Sequence, residues 1–399
     1  MVDLVCRPGE TGARVAGVRD ALVAAVARDR ARGAVDLTWA DDEHVRTLRA
    51  AVDPQHYDEG LGHAVRAFQQ SRGLIADGVV GAETALALQA AGWHLGDRPL
   101  SLVPGALMHG DDVAELQARL IGLGFGPERV DGVFGVRTDQ AVRAFQRGRG
   151  EVVDGVVGPE TLAGFVGLRR SVTGGSPQGL REREQVRRSG SRLMGRVVVL
   201  DPGHGGADLG VVRHGLVEAE LVLDLAHRVQ QRLVSLGVQV VLTRGTEDGG
   251  DQVQRAGRAN AVGADLVLSL HCDSADHEEA SGIATFFYGL DRFGAWSAVG
   301  ERFADLLQRE LVSRSGLSDS RSHPRAWPLL QRTEMPAVWL EVGYASNPRD
   351  AERLADPAVL DSLAEGIVVA VQRVYFGDDD ATATGVLDLR DLAITPKSR

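Results

Sequence analysis

The sequence predicts two small all-α repeats, each of three helices, followed by an α/β domain. Three observations carry this. First, AVRAFQ at 64–69 returns at 141–146, DGVVG at 77–81 returns at 154–158, and Glu83-Thr84 returns as Glu160-Thr161, all in the same register. Second, from Arg196 onward the helical stripes give way to short apolar runs alternating with helical stretches. Third, a 399-residue chain that is 44% hydrophobic and 25% charged has the length for two or three domains and the composition of a soluble globular protein.

The elements follow in order. The second repeat, 100–170, opens with Val113, Leu116, Leu120 and Leu123 at steps of three and four, one apolar helix face. DGVFG at 131–135 is a turn signal, Ala141, Val142 and Phe145 mark a second helix, and DGVVG with Pro159-Glu160-Thr161 starts a third. The Asp-Gly pairs supply the positive-φ positions that such turns need. The first repeat, 1–95, keeps the later half of this pattern. Its upstream half matches at a larger offset, which places an insertion, either helical or an extended loop, near 26–50. Where the second copy has its first DG.FG, the first has Pro54-Gln55-His56-Tyr57-Asp58, which weakens the case for a ligand groove there. A Gly/Ser-rich and then charged linker is expected over 171–194.

Within 195–376, strands are expected at 197–200, 238–243, 266–270, 283–288 and 337–342. Leu221, Leu225, Val229, Leu233 and Leu236 form one helical stripe, and Phe303, Leu306, Leu307 and Leu311 another; an amphipathic helix closes the domain over 357–375. The tail, 377–399, begins with Asp378, Asp379 and Asp380 and is expected to be mobile, with Thr382 and Thr384 as candidate phosphorylation sites.

Composition excludes several functions. A net charge of −11 and a pI near 5.5 disfavour a nucleic-acid partner. No apolar run reaches the roughly 18 residues of a membrane span. The first residues carry Asp3, Arg7, Glu10 and Arg14 without an apolar stretch, so a secretory signal is not expected. Cys6 and Cys272 stand far apart, which argues against a disulfide framework and for a cytoplasmic location.

Four positions carry chemistry. His204 lies in Asp201-Pro202-Gly203-His204-Gly205-Gly206, a Gly-rich loop at the carboxyl end of a buried strand, where open α/β sheets build sites; a hydrogen-bonded structural histidine is the alternative. Glu218 begins a helix, where an acid also simply complements the helix dipole, and Glu220 competes for the same role. His271 ends another strand in LVLSLHCDS. Glu341 sits in AVWLEVGY, where a carboxylate is costly unless paired, metal-linked or used; a buried salt bridge is its bland explanation. Two histidines and a glutamate form the donor set of a catalytic Zn2+ that keeps one position for water, and a further glutamate can move the proton.

Together these segments resemble the zinc-dependent N-acetylmuramoyl-L-alanine amidases of the amidase-3 family. The matching motifs are DPGHGG, GLVEAELVLDLA, SLH and LEVGYASNP, in family order over about 196–375, with Leu242-Thr243-Arg244 and Arg255-x-x-x-Ala259-Asn260 also fitting. The resemblance implies a twisted central sheet flanked by helices. It implies zinc ligands at His204, Glu218 and His271, a catalytic glutamate at Glu341, and hydrolysis of the amide between N-acetylmuramic acid and L-alanine. The family commonly has Ala-Asn-Ala after the second histidine; here Cys272-Asp273-Ser274 follows, and strand alternation turns Cys272 away from His271. The repeats resemble the peptidoglycan-binding domain, which implies peptidoglycan or a muropeptide as partner; a structural spacer or a protein-docking surface is the alternative. The order of parts resembles that of actinobacterial CwlM-like proteins. That likeness implies an alternative role as a cytoplasmic regulator or scaffold of peptidoglycan precursor synthesis, with a cytoplasmic wall-precursor enzyme as partner.

Overall fold

The computed structural model describes residues 5–31, 42–49, 51, 53–126, 129–166, 177–188, 190, 192–246, 249–275, 277–290 and 293–375. The chain divides into two compact units. One comprises Met1–Gln178 with Gly289–Ala295 and Arg325–Trp327, and the other the remainder. The tail with Thr382 and Thr384 lies outside the described residues.

The first unit is helical: α1 (Ala13–Ala31), α2 (Asp42–Arg49), α3 (Glu59–Ser71), α4 (Ala82–Ala90), α5 (Asp111–Gly122), α6 (Val136–Arg149) and α7 (Pro159–Val166). The stretch near 26–50 takes helical form in its described parts, as the end of α1 and as α2. Each repeat has its own small core. Val15, Val18, Leu22, Leu61, Val65 and Phe68 build one, and Val113, Leu116, Leu120, Phe134, Val142 and Phe145 the other.

A single device recurs in both repeats: a buried glutamine pins an Asp-Gly turn. Gln117 Nε2 donates to Asp131 Oδ1 (2.7 Å), Val133 O (3.1 Å) and Thr138 Oγ1 (3.0 Å), while its Oε1 accepts from Gly132 N (2.9 Å). Gln146 does the same for Asp154, Val156, Thr161 and Gly155, and Gln69 for Asp77, Val79, Thr84 and Gly78. Both the nitrogen and the oxygen of each glutamine amide are hydrogen-bonded, so burying it leaves neither atom without a partner. Where the first repeat lacks the Asp-Gly turn, Arg19 takes over: it donates to Pro54 O, His56 O and Asp58 Oδ2. Tyr57 fills the core place that Phe134 holds in the second copy, its hydroxyl donating to Gly78 O at 2.5 Å. The backbone path is kept even though the turn sequence is not: the Thr11–His56 bridge mirrors His109–Val133.

The stretch read as a linker holds a helix, α8 (Pro177–Arg188). Its Glu182 carboxylate accepts from Ser297 Oγ (2.9 Å) and Val299 N (3.2 Å), at the amino end of a later helix. A negative charge there satisfies backbone N–H groups that a helix start leaves open. Charged residues that read as linker are therefore in part a docking helix.

Beyond α8 the chain, which belongs mostly to the second unit, runs β1 (Val197–Pro202), β2 (Val212–Arg213), β3 (Leu216–Val217), α9 (Glu218–Ser235), β4 (Gln239–Leu242), α10 (Gln252–Ala261), β5 (Leu266–Asp273), β6 (Ile283–Leu290), β7 (Ala295–Trp296), α11 (Ala298–Ser315), β8 (Asp319–Arg325), α12 (Pro328–Arg332), β9 (Ala337–Tyr344), α13 (Pro348–Leu354) and α14 (Pro357–Tyr375). The main sheet is mixed, in order β4-β1-β5-β9-β6-β7, with β8 also on β6. β4, β1, β5 and β9 are mutually parallel, and β6 is antiparallel to β9. Helices flank it, and Leu225, Val229, Phe303, Leu307, Leu340 and Ile367 share one core. α14 is more enclosed than an amphipathic reading expects, since every residue from Gly366 to Tyr375 is buried. Its Arg373 is matched by the fully buried Glu310 of α11, which also pairs with Arg314 at 3.0 Å.

β8 was not expected from the sequence, because DSRSHPR has no apolar alternation and none of its residues is fully buried. Among the described residues no helix is long and apolar enough to cross a membrane. Cys6 and Cys272 are both buried, and neither is in a disulfide.

Candidate active site

The parallel strands bring their carboxyl ends to one edge. β1 delivers Pro202 and the loop carrying His204; β5 delivers His271; β9 delivers Glu341, directly in register with His271. α9 starts at Glu218, which points back toward that edge and is buried, whereas Glu220 is exposed. His204, Glu218 and His271 each offer a donor atom, all within 4.8 Å of one another.

Glu218 is the hub. Its Oε1 accepts from Cys272 N (3.0 Å) and lies 3.1 Å from His271 Nδ1. Its Oε2 accepts from Val211 N (3.0 Å) and lies 3.1 Å from His204 Nε2. Burial works against its charge, but His204, His271 and the Cys272 amide outweigh burial and hold its carboxyl far below the usual range. His204 Nδ1 sits 2.8 Å from Asp208 Oδ2. The imidazole of His204 is pulled upward in pKa, first by Glu218 and then by Asp208, against its partial burial. His271 is pulled down by burial.

Two glycines make the approach possible. A Cβ on Gly203 would stand 2.1 Å from His271 Cε1, and one on Gly210 would stand 2.5 Å from Glu218 Oε2 at a backbone φ of +64°. His204 itself has φ +60°, a conformation that side chains seldom adopt, held here by the loop around it. That loop is clamped by two buried arginines. Arg244 donates to Pro202 O (2.8 Å), Gly203 O (2.6 Å) and Ala219 O (2.9 Å). Arg255 donates to Asp201 Oδ1 (2.7 Å), Pro202 O (2.7 Å) and His204 O. Asp201 is buried and further held by Ser269 Oγ (2.6 Å) and Thr243 Oγ1 (2.5 Å).

Glu341 has no salt bridge among the described residues. Its Oε1 accepts from Trp339 Nε1 at 2.7 Å, and its buried Oε2 has no hydrogen-bond partner there. Burial, with Asp273 and Glu218 nearby, pushes its carboxyl well above the usual range despite the Trp339 bond. Cys272 turns to the core, its Sγ 3.4 Å from Gly343 O, with burial raising its thiol.

A family model described as N-acetylmuramoyl-L-alanine amidase matches residues 198–373, and a peptidoglycan binding domain model matches 47–88 and 109–163. The N-acetylmuramoyl-L-alanine amidase CwlM of Mycobacterium tuberculosis is 42% identical over 390 residues, covering 97% of this chain and 93% of that protein. The chain belongs to the N-acetylmuramoyl-L-alanine amidase family.

Other amidases match less than half of this chain. LytC of Bacillus subtilis is 30% identical over 175 residues, covering 44% of this chain and 34% of that protein. The germination-specific amidase of the same organism is 31% identical over 197 residues, covering 46% and 81%. The solved catalytic domain of CwlV from Bacillus (Paenibacillus) polymyxa is 28% identical over 45% of this chain and 97% of that one, with a TM-score of 0.41.

The donor set fits a divalent cation of the zinc type. The two histidine–glutamate separations, 3.1 Å each, reach different Glu218 oxygens, so the fit rests on donor chemistry: two imidazoles and a carboxylate, with one atom from each within 4.8 Å of the others, are a donor set zinc takes. If His204 gives its Nδ1 proton to Asp208, the Nε2 lone pair faces a Glu218 oxygen, which is repulsive unless a proton or cation intervenes. Asp208 is then the carboxylate that orients a ligating imidazole. Sequence reasoning assigned no role to Asp208 or Trp339. The signal for Trp339 was present, since residues two apart on a strand share a face.

Proposed function

We propose that this amidase-family chain hydrolyses the amide between N-acetylmuramic acid and L-alanine in peptidoglycan or muropeptides. His204, Glu218 and His271 would hold Zn2+ and Glu341 would be the catalytic acid and base. The observation that carries this reading is the buried, unpaired Glu341 Oε2, on the strand next to His271 and in register with it. Leaving such an oxygen unsatisfied costs about 1–3 kcal/mol, which a purely structural position has no reason to bear.

The residues divide the work as follows. A bound zinc ion supplies Lewis-acid polarisation of the amide carbonyl and acidifies water. Glu218, Asp208 and the two arginine clamps fix both imidazoles before substrate arrives. Glu341 takes a proton from water as the water oxygen bonds to the lactyl carbonyl carbon. When the C–N bond breaks, Glu341 gives that proton to the departing alanine nitrogen. Its raised proton affinity suits a group that must hold the proton between the two steps. The helical repeats would recruit the polymer, consistent with their match to the peptidoglycan binding domain.

The test is a muropeptide digest by zinc-loaded wild type and Glu341→Ala, read by mass spectrometry. Release of free peptide and peptide-free muramic acid by wild type alone is expected. No cleavage by wild type with zinc demonstrably bound would overturn the enzymatic reading and favour the precursor-synthesis regulator.

A further inference from the structure

We propose that Trp339 is a positioning residue for this site, one that dictates which oxygen of Glu341 carries the transferred proton. The inference rests on the roles proposed above for Glu341 and His271. Trp339 and Glu341 lie two apart on β9 and so share a face, while β5 sets Ser269 beside Trp339 and His271 beside Glu341. In that corner one side chain touches two functional groups. The indole lies flat against the His271 imidazole, ring centroids 3.6 Å apart and planes 6° from parallel. Its Nε1 donates to Glu341 Oε1 at 2.7 Å.

An indole N–H donates and cannot accept. The oxygen it holds must therefore act as an acceptor whether Glu341 is charged or neutral. The proton that Glu341 takes up is confined to Oε2, the oxygen left without a partner. An untethered carboxylate rotates about its last torsion and presents either oxygen, which halves the productive geometries and blurs the distance to the reacting nitrogen. The same ring restricts rotation of His271, keeping Nδ1 toward Glu218. Trp339 thus ties the proton-transfer group and one donor of the metal cluster to a single rigid plane.

Two substitutions separate these functions. Trp339→Phe keeps a stacking ring and removes the donor; Trp339→Leu removes both. Each would be purified as the full chain and measured for zinc affinity by chelator competition, and for kcat and KM on a muropeptide. The expected result for Trp339→Phe is a kcat lowered about 10- to 100-fold, with KM and zinc affinity within about threefold of wild type. Trp339→Leu is expected to lose about tenfold in zinc affinity as well. A third measurement needs no turnover: the indole N–H resonance absent from Trp339→Phe should move upfield in Glu341→Ala, as its hydrogen bond is lost. A Trp339→Phe enzyme with wild-type kcat overturns the proposal while leaving Glu341 catalytic. Parallel loss of kcat, KM and zinc affinity in Trp339→Phe also overturns it, showing a packing role. Wild type that binds zinc and cleaves nothing removes the underlying reading, and this proposal with it.

Discussion

Replacing Arg255 with alanine should destabilise the second unit more than any surface change could. Its guanidinium serves Asp201 Oδ1, Pro202 O and His204 O, with Nε donating to Gly250 O at 2.8 Å. The side chains of Arg255 and Asp201 are 5% and 1% exposed, so neither charge has water to fall back on. Breaking a buried pair by removing one partner costs about 3–5 kcal/mol, because the remaining charge is left uncompensated. Asp201→Asn alone removes the charge and keeps the shape. The double variant should therefore be less destabilised than the sum of the singles, with a coupling of about 1–3 kcal/mol. Equilibrium urea unfolding, with hydrogen exchange followed on peptides from β1 and β5, reads this unit separately from the repeats. Arg255→Ala within 1 kcal/mol of wild type, or strictly additive singles, would refute the reasoning.

The remaining predictions follow from the same contacts. Burial alone would raise the Asp201 carboxyl, but Arg255, Ser269 and Thr243 hold it below its ordinary value. Its contribution is therefore complete above the unfolded pKa of about 4 and is lost as pH falls through the depressed folded value; wild type should lose stability below about pH 4 faster than Asp201→Asn, measured by thermal unfolding. Gly203→Ala would place a methyl 2.1 Å from His271 Cε1, so the ring must shift by about 1 Å or more to reach ordinary contact; zinc affinity should drop at least about tenfold with the far-UV spectrum unchanged. Asp208→Asn should weaken zinc binding by about 10- to 100-fold without altering urea stability, since Asp208 is largely exposed. Gln117→Ala should cost the second repeat about 2–3 kcal/mol by stranding Asp131, Gly132 and Val133, and calorimetry of the full chain should show one transition moving to lower temperature.

Much of this molecule was legible in its sequence, for identifiable reasons. β1, β5, β6 and β9 announce themselves because they are enclosed on both faces; LVLSL at 266–270 is a nearly unbroken apolar run. The helical repeats show through because each glutamine that pins an Asp-Gly turn must keep its spacing to that turn. What stayed hidden is carried by polar residues whose partners are distant in sequence. β8 has no apolar pattern, Arg19 replaces a turn glutamine with no local sign of doing so, and Glu182 meets Ser297 across 115 positions. At the site, His204 and His271 could be singled out as strand-end residues and Glu341 as a costly one, whereas Glu218, a helix-start acid with Glu220 as competitor, stood out only through the family motif. Which atoms face one another, and that Trp339 ties Glu341 to His271, depended on register between β5 and β9.

Zinc-edge X-ray absorption on the metal-loaded full chain tests the central claim most directly. The account predicts a first shell of nitrogen and oxygen donors only, at about 2.0–2.2 Å, with the outer scattering of two imidazoles, and loss of that pattern in His271→Ala. A sulfur donor at about 2.3 Å would place Cys272 on the metal and contradict the site described here.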